Sequence, residues 1–489
     1  MIKKWFSKGF FKNKEIILII VLGLVLRFYK LKERFIFGLE QPASLWPIVN
    51  LFENRKFTLI GQQFLTLKAG LFRPPFYLYV FALPLKIFNF NPFALEIIFA
   101  LMGTITIFLI YLAAKKFFES QTALIASFLY SISANIISID KNIWVVTPII
   151  ITSVLILVLL TSNFEEYNKK FINLFIIGCL TGLGFSFHFQ AVFILAALFF
   201  IFLKSKGFKK TAFFLSGVIL FLSPLIIFNF KHNFIMFKNV TSLFLGEEVI
   251  KRSSNNFGGK INNGLKAFSD LAFQILNLSF SKTQLFENCL IFLFLFLIPP
   301  FLVYRESKFV KEKFFIKYFL LSCFFGLLGL TIIDQGFYSS LSFYIFCFIP
   351  LLLIIWARFL SSLTKRNKFI VILIIFSLTV SNLYSFLKPK PGNYQEKIMV
   401  VDYILKSTKG KKFRLKFINQ DVLAYSYLFY YRVPFYNLTF NDLSLIEQWQ
   451  EGNPDFFLVQ GDYDWQGDKY KIRPFEKIRD FEGIKVVIK

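Results

Sequence analysis

The stretch PFYLYVFALPLKIF (75–88) decides how this chain is threaded. It is apolar, but it is short and is interrupted by Pro84 and Lys86. A helix that crosses a bilayer takes roughly 20 apolar residues. Read as a crossing, 75–88 sends every later loop to the opposite side. Read as an interfacial helix, it leaves eleven apolar segments as the spans: 15–28, 93–114, 122–138, 143–161, 171–186, 191–203, 211–229, 288–304, 316–333, 341–357 and 368–387.

Charge chooses between the two. Cytoplasmic loops of membrane proteins carry an excess of Lys and Arg. The N-terminus MIKKWFSKGFFKNK (1–14) holds five Lys and is expected inside. With 75–88 at the interface, the basic segments KK (115–116), KSKGFKK (204–210), YRESKFVKEK (304–313) and ARFLSSLTKRNK (357–368) join it there. The three short outer loops (139–142, 187–190 and 334–340) then hold one cation, Lys141. The alternative reverses this asymmetry, so the interfacial reading stands.

Composition agrees with a membrane class. The chain has 489 residues, 56% hydrophobic and 17% charged, with 71 Phe, and its apolar residues come in long runs. Only helices or closed barrels satisfy the backbone in lipid. The net charge of +27 belongs to loops and termini, which removes the need for nucleic acid as a partner. The first apolar segment lacks a small-residue cleavage site and is expected to be retained. All four Cys lie in apolar runs, which argues against disulfides and thiolate metal sites.

The expected fold is an all-α polytopic membrane protein of about eleven spans, N-terminus inside and C-terminus outside, in the cell (inner) membrane. Residues 1–387 form the transmembrane domain. It has a first outer loop with interfacial helices (29–92) and a second large outer loop (231–287). Residues 388–489 alternate amphipathic helices with short apolar strands and are expected to form an extracytoplasmic α/β domain. Asp421 and Asn441 are placed as its helix N-caps.

The middles of the spans hold almost no ionisable residues, which disfavours an ion-coupled transporter. Polar residues gather at the outer helix ends: Glu40, Gln41, Arg73, Asp140, Lys141, Asn142, His188, Gln190, Asn229, Lys231, His232 and Asp334. A carboxylate among cations at a lipid surface suits transfer from a polyprenyl-phosphate donor. The cations stabilise the departing phosphate, and the carboxylate takes the proton of an acceptor hydroxyl. Two isolated His without carboxylates at ligand spacing do not make a metal site.

The order of these features resembles the GT-C type glycosyltransferases, the lipid-phosphate-sugar-dependent relatives of protein O-mannosyltransferases and aminoarabinose transferases (glycosyltransferase family 39). The resemblance rests on FGLEQPASLWPIVNLFENRKFTLIG (37–61), GLFRPPFYLYVFALPLKIF (70–88), SIDKNIWVVTP (138–148), GFSFHFQAVFILA (184–196) and PLIIFNFKHNFIMFKNV (224–240), and covers roughly residues 15–240. Glu40 stands where the family usually has Asp. Pro42-Ala43-Ser44 stands where Ala-Arg-Asp often follows, and Trp144-Val145-Val146 replaces Trp-Asn-Pro.

The resemblance implies an inverting transferase on the outer face with Glu40 as base and Asp140 as a second catalytic candidate. Gln41, Arg73, Lys141, Asn142, His188, Lys231 and His232 are the candidate substrate-binding residues, with Arg73, Lys141 and Lys231 toward the phosphate. The implied partners are a polyprenyl-phosphate sugar, a glycan, lipid or protein acceptor, and membrane lipid. No cofactor is certain, and a divalent metal is left open. The competing readings are a ligase or polymerase of lipid-linked glycans and a non-enzymatic transporter or scaffold.

Overall fold

A computed structural model describes residues 14–38, 40–55, 57–63, 70–165, 171–239, 257–278, 284–333, 342–388, 392–408, 415–418, 422–432, 456–460, 477–481 and 484–488. Asp334, Asp421 and Asn441 lie outside these residues.

Each of the eleven apolar segments contains helix among the described residues. Six of the described helices are long and apolar enough to cross a membrane, or seven if one bent pair counts as a single span. The six are α4 (Pro92–Phe117), the second half of α9 (Ala191–Lys231), the run Leu285–Glu306, α13 (Val310–Ile333), the run Ser342–Thr364, and α15 (Lys368–Leu387). The bent pair is α5 (Ser120–Ile132) and α6 (Ala134–Lys141). The other four segments are shorter: α1 (Lys14–Phe28), α7 (Pro148–Glu165, of which Pro148–Thr161 is apolar), α8 (Phe171–Phe187) and the first half of α9, Ala191–Lys204. The halves of α9 meet at Gly207, whose φ of +76° is a left-handed conformation that glycine adopts without strain.

Residues 76–87 form a 12-residue helix, α3, with a cationic last turn at Lys86. At 1.5 Å per residue it reaches only ~18 Å, too short to cross a hydrocarbon core of ~30 Å. Before it, the segment after α1 carries α2 (Glu40–Glu53).

Two spans differ from expectation. Residues 122–138 were expected as one straight helix, but α5 and α6 meet at a 68° bend. Ser133 is extended there, with φ −62° and ψ 113°. Neighbouring side chains accommodate the break: Ala134 N donates to Asn382 Oδ1 at 3.0 Å, and Ser133 Oγ donates to Ile275 O at 3.1 Å. Broken backbone at membrane depth persists only with such partners or beside a cavity. The other is 143–161, whose helix begins at Pro148 because Asn142–Thr147 forms tight turns.

One end of the bundle collects the loops expected inside. Glu119, after α4, pairs with Arg358 and Lys365 at the end of α14 (Ile349–Thr364), and Arg366 pairs with Glu306 at the end of α12 (Ile298–Glu306). Exposed pairs of this kind contribute little stability, but they show that these loops share a side.

Residues 392–488 supply α16 (Tyr394–Thr408), β1 (Leu415–Ile418), α17 (Val422–Arg432), β2 (Phe456–Gln460), β3 (Lys477–Phe481) and β4 (Ile484–Ile488). The sheet order is β1-β2-β4-β3, with β1 parallel to β2 and the other pairs antiparallel. α17 is the crossover that a parallel β1–β2 pair requires.

Candidate active site

The site starts at the N-terminus of α2, and its foundation is C-terminal. Phe35 and Phe37 are buried and pack on Tyr394, and Phe37 also packs on Tyr427. Lys397, itself buried, donates from Nζ to Phe37 O at 2.8 Å, and Asn393 Oδ1 accepts from Phe37 N at 2.7 Å. Gly392 N donates to Glu33 O at 2.7 Å, and a Cβ there would lie 2.2 Å from Phe35 O, so only glycine fits the approach. Trp46 meets Tyr427 and Tyr430 edge-on or tilted, and Tyr430 donates to Glu53 at 2.7 Å. Gly392, Asn393, Tyr394, Lys397, Tyr427 and Tyr430 therefore clamp the segments on either side of Glu40.

One prediction arises here. Lys397→Met removes a charged donor from Phe37 O and should loosen residues 35–41 by about 1.5–3 kcal/mol. Hydrogen exchange at Phe37 and Gly38 should accelerate accordingly, while Lys397→Arg restores most of the protection. Unchanged exchange in the Met variant would remove the clamp role.

Above this foundation four segments converge. Arg73 and then Trp144 lie within electrostatic reach of the Glu40 carboxylate. The side chain of Glu40 is exposed, yet the protein crowding it strips part of the carboxylate's hydration. That desolvation raises its pKa above the ordinary glutamate value, against the lowering by Arg73 and then Trp144. Gln41 fixes the turn: its Oε1 accepts from Gly38 N at 2.8 Å, and its Nε2 donates to Asn142 Oδ1 at 2.5 Å.

Arg73 is buried and donates to Phe187 O at 3.2 Å. Tyr77 and Tyr344 join Glu40 as its electrostatic neighbours. His188 is buried against Tyr344 and Phe343, with ring centroids 5.2 and 6.3 Å apart. Burial, then the Arg73 charge, holds its pKa well below the usual histidine range, so it serves as a neutral hydrogen-bonding ring. Gln190 ties this layer to the 3₁₀ segment Ser342–Phe348, donating to Phe343 O at 3.2 Å and accepting from Cys347 N at 2.6 Å.

The structure thus brings together Glu40, Gln41, Arg73, Asn142 and His188. It takes other candidates elsewhere. Asp140 is buried on α6 and paired with Arg27 of α1, which donates through Nε at 3.0 Å and Nη2 at 2.5 Å; Tyr130 donates to its other oxygen at 2.8 Å. Its carboxylate is occupied by a structural pair. Lys141, the next residue, points its charge toward Glu96 of α4 rather than toward Arg73. Lys231 and His232 sit exposed at the end of α9, where His232 stacks on Phe228 at 4.1 Å and Phe228 meets Phe72. They border the Arg73 segment without a described contact to Glu40. Sequence reasoning did not assign Arg27, Tyr344 or the contact of Trp144 with Glu40. Arg27 ends an apolar helix and reads as a boundary cation, and Tyr344 lies 156 residues from His188 and 271 from Arg73, so no local signal marks it. Among the described residues no three His, Cys, Asp or Glu side chains gather to hold a metal ion.

The fold is that of the GT-C type glycosyltransferases. Residues 72–228 match the dolichyl-phosphate-mannose-protein mannosyltransferase family. Among solved structures the chain is similar to ArnT from Cupriavidus metallidurans bound to undecaprenyl phosphate, at 13% identity and a TM-score of 0.58, covering 96% of this chain and 97% of that one. The apo state of the same ArnT gives 12% identity, a TM-score of 0.56 and the same coverage. The archaeal oligosaccharyltransferase AglB from Archaeoglobus fulgidus, in complex with an inhibitory peptide and a dolichol-phosphate, gives 12% identity, a TM-score of 0.51, and coverage of 92% of this chain and 70% of that one. No curated protein sequence matches the chain.

Proposed function

We propose that this chain is an integral membrane glycosyltransferase that moves a hexosyl or pentosyl group from a polyprenyl-phosphate donor to an acceptor hydroxyl, with inversion. The observation that carries the reading is the facing of Glu40 and the buried Arg73 cation at the edge of the bundle. The acceptor O–H gives its proton to Glu40, its oxygen bonds to the anomeric carbon, and the bond from that carbon to the phosphate oxygen breaks. The electron pair leaves with the phosphate, whose growing charge Arg73 meets in a desolvated setting. His188, Gln41 and Asn142 orient the sugar and the loop. Lys231 and His232 are proposed at the entry for the donor, and Asp140 as the residue that positions α6.

On this reading the chain crosses the inner membrane eleven times, starts in the cytoplasm, and holds 388–489 outside as an α/β domain. Its sequence order, its helical segments and the sheet formed by 415–488 support that arrangement. The undecaprenyl phosphate and dolichol-phosphate bound by the similar structures support a lipid-phosphate donor.

The test is release of polyprenyl phosphate from mannosyl- and aminoarabinosyl-phosphate donors by the purified chain in liposomes. Arg73→Met is expected to lower turnover about 10²–10³-fold, the size seen when one charge-stabilising donor is removed. Arg73→Lys should retain part of it as a point charge without the planar fork. Wild-type turnover in the Met variant would exclude the phosphate role.

A further inference from the structure

A recess with polar and apolar walls lies beside the Glu40 site, joined to it through the Gln41–Asn142 hydrogen bond. Its wall includes Arg34 from the first outer loop, Glu96 from α4, Ser138, Lys141 and Asn142 from α6 and the turn after it, and Phe386 from α15. The cavity measures about 80 Å³. At roughly 10–15 Å³ per water site this is room for about five to eight waters, the scale of part of a sugar ring.

The recess is built. The 68° bend at Ser133 turns α6 away from α5, and Ala134, Ile137, Ser138 and Lys141, at helical spacing, face the cavity. Asp140 lies on another face of α6, where Arg27 holds it. That ion pair fixes the rotation of α6 and so aims Ser138 and Lys141. On the opposite wall Arg34 is held by a 2.8 Å bond to Phe386 O and stacks on the Phe386 ring at 4.7 Å.

Glu96 marks the recess as a binding site. It is 2% exposed, and its Oε2 has no hydrogen-bond partner among the described residues. Buried carboxylate oxygens are ordinarily partnered, and this one lines a cavity whose other polar side chains, Arg34, Ser138, Lys141, Asn142 and Ser385, can each donate. A phosphate would meet the Glu96 carboxylate at close range. A peptide hydroxyl offers a single group. A sugar ring presents several hydroxyls, each both donor and acceptor, which answer a carboxylate oxygen, two cations and an amide together. Phe386 supplies an apolar face.

We infer that this recess is the subsite for a hydroxylated sugar ring of the acceptor, so that the acceptor is a glycan. The inference rests on the transferase reading: a base that serves an inverting transfer stands on the acceptor side of the anomeric carbon, and Gln41–Asn142 links that base's loop to the recess.

The experiment is saturation-transfer NMR of the full chain in nanodiscs with methyl α-mannopyranoside and methyl β-glucopyranoside, in competition with N-acetyl-threonine amide. At least one glycoside is expected to bind the wild type. Glu96→Gln should weaken it about tenfold, the cost of a lost charged hydrogen bond. Ser138→Phe, which fills the recess, should abolish it, and Arg73→Met should leave it unchanged. No glycoside binding to the wild type, unaltered binding in monodisperse Glu96→Gln and Ser138→Phe, or displacement by the threonine amide overturns the proposal. Binding is read without turnover. Its loss leaves transfer standing, whereas glycoside binding by a chain that transfers nothing upholds a sugar site but removes the transferase reading and, with it, the acceptor role.

Discussion

Glu40→Gln is expected to lower sugar transfer about 10²–10⁴-fold, the usual range for removing a positioned general base. The substitution keeps the shape but removes the proton acceptor. Folding should survive because the Glu40 side chain is exposed and the loop is held by Phe35, Phe37, Asn393 and Lys397 instead. The measurement is turnover of a labelled donor beside thermal unfolding of the same preparation. Full activity in Glu40→Gln would end the base assignment.

The pH profile checks the same group. The base acts as a carboxylate, so activity falls as pH drops through its pKa. Desolvation outweighs Arg73 and Trp144 and raises that pKa. The acid limb of kcat/KM is therefore expected above the ~4.3 of a free glutamate. Removing Arg73 takes away a lowering influence and should move the limb further up. A limb at or below the free value would contradict the crowded geometry around Glu40.

The second large effect concerns stability. Arg27→Ala is expected to cost about 3–5 kcal/mol, because it leaves Asp140 buried without its cation. The guanidinium is fully buried and also donates to the carbonyls of Gly23 and Ser131. The packing is close: a Cβ added at Gly103 would lie 2.5 Å from the Asp140 carboxyl. Thermal unfolding in detergent should show a large drop in Tm. The pair Arg27→Met with Asp140→Leu should recover much of it, since replacing both ions by apolar groups is often neutral. An Arg27→Ala protein with the parental Tm would mean that the pair does not anchor α6.

Asp140 illustrates how residue type and role separate. In sequence it is an acid at an outer helix end, next to Lys141 and Asn142, and indistinguishable in kind from Glu40. What distinguishes them is Arg27, which is 113 residues away. The same turn of α6 sends Lys141 toward Glu96 and Asn142 toward Gln41. Three consecutive polar residues thus serve an ion pair, a recess and the Glu40 loop. Helical spacing predicts that neighbours face different ways, but the bend at Ser133 and the Arg27–Asp140 pair together set which way each one faces.

The amino-acid sequence by itself determined the class of this protein. Long apolar runs and basic loops dictate a helical membrane bundle, because backbone polar groups in lipid must be paired within each helix. The same patterning set aside 75–88 as a non-crossing helix and put Glu40, Arg73 and His188 at one end. These are local properties, written in residues close together along the chain. The tertiary structure decided which of the gathered polar groups share a site. It set Arg73 within electrostatic reach of Glu40, paired Asp140 with Arg27, and brought Tyr344 to Arg73 and Lys397 to Phe37. Coulombic and hydrogen-bond energies depend on distances of a few ångströms between segments hundreds of residues apart, and those distances exist only after the helices pack.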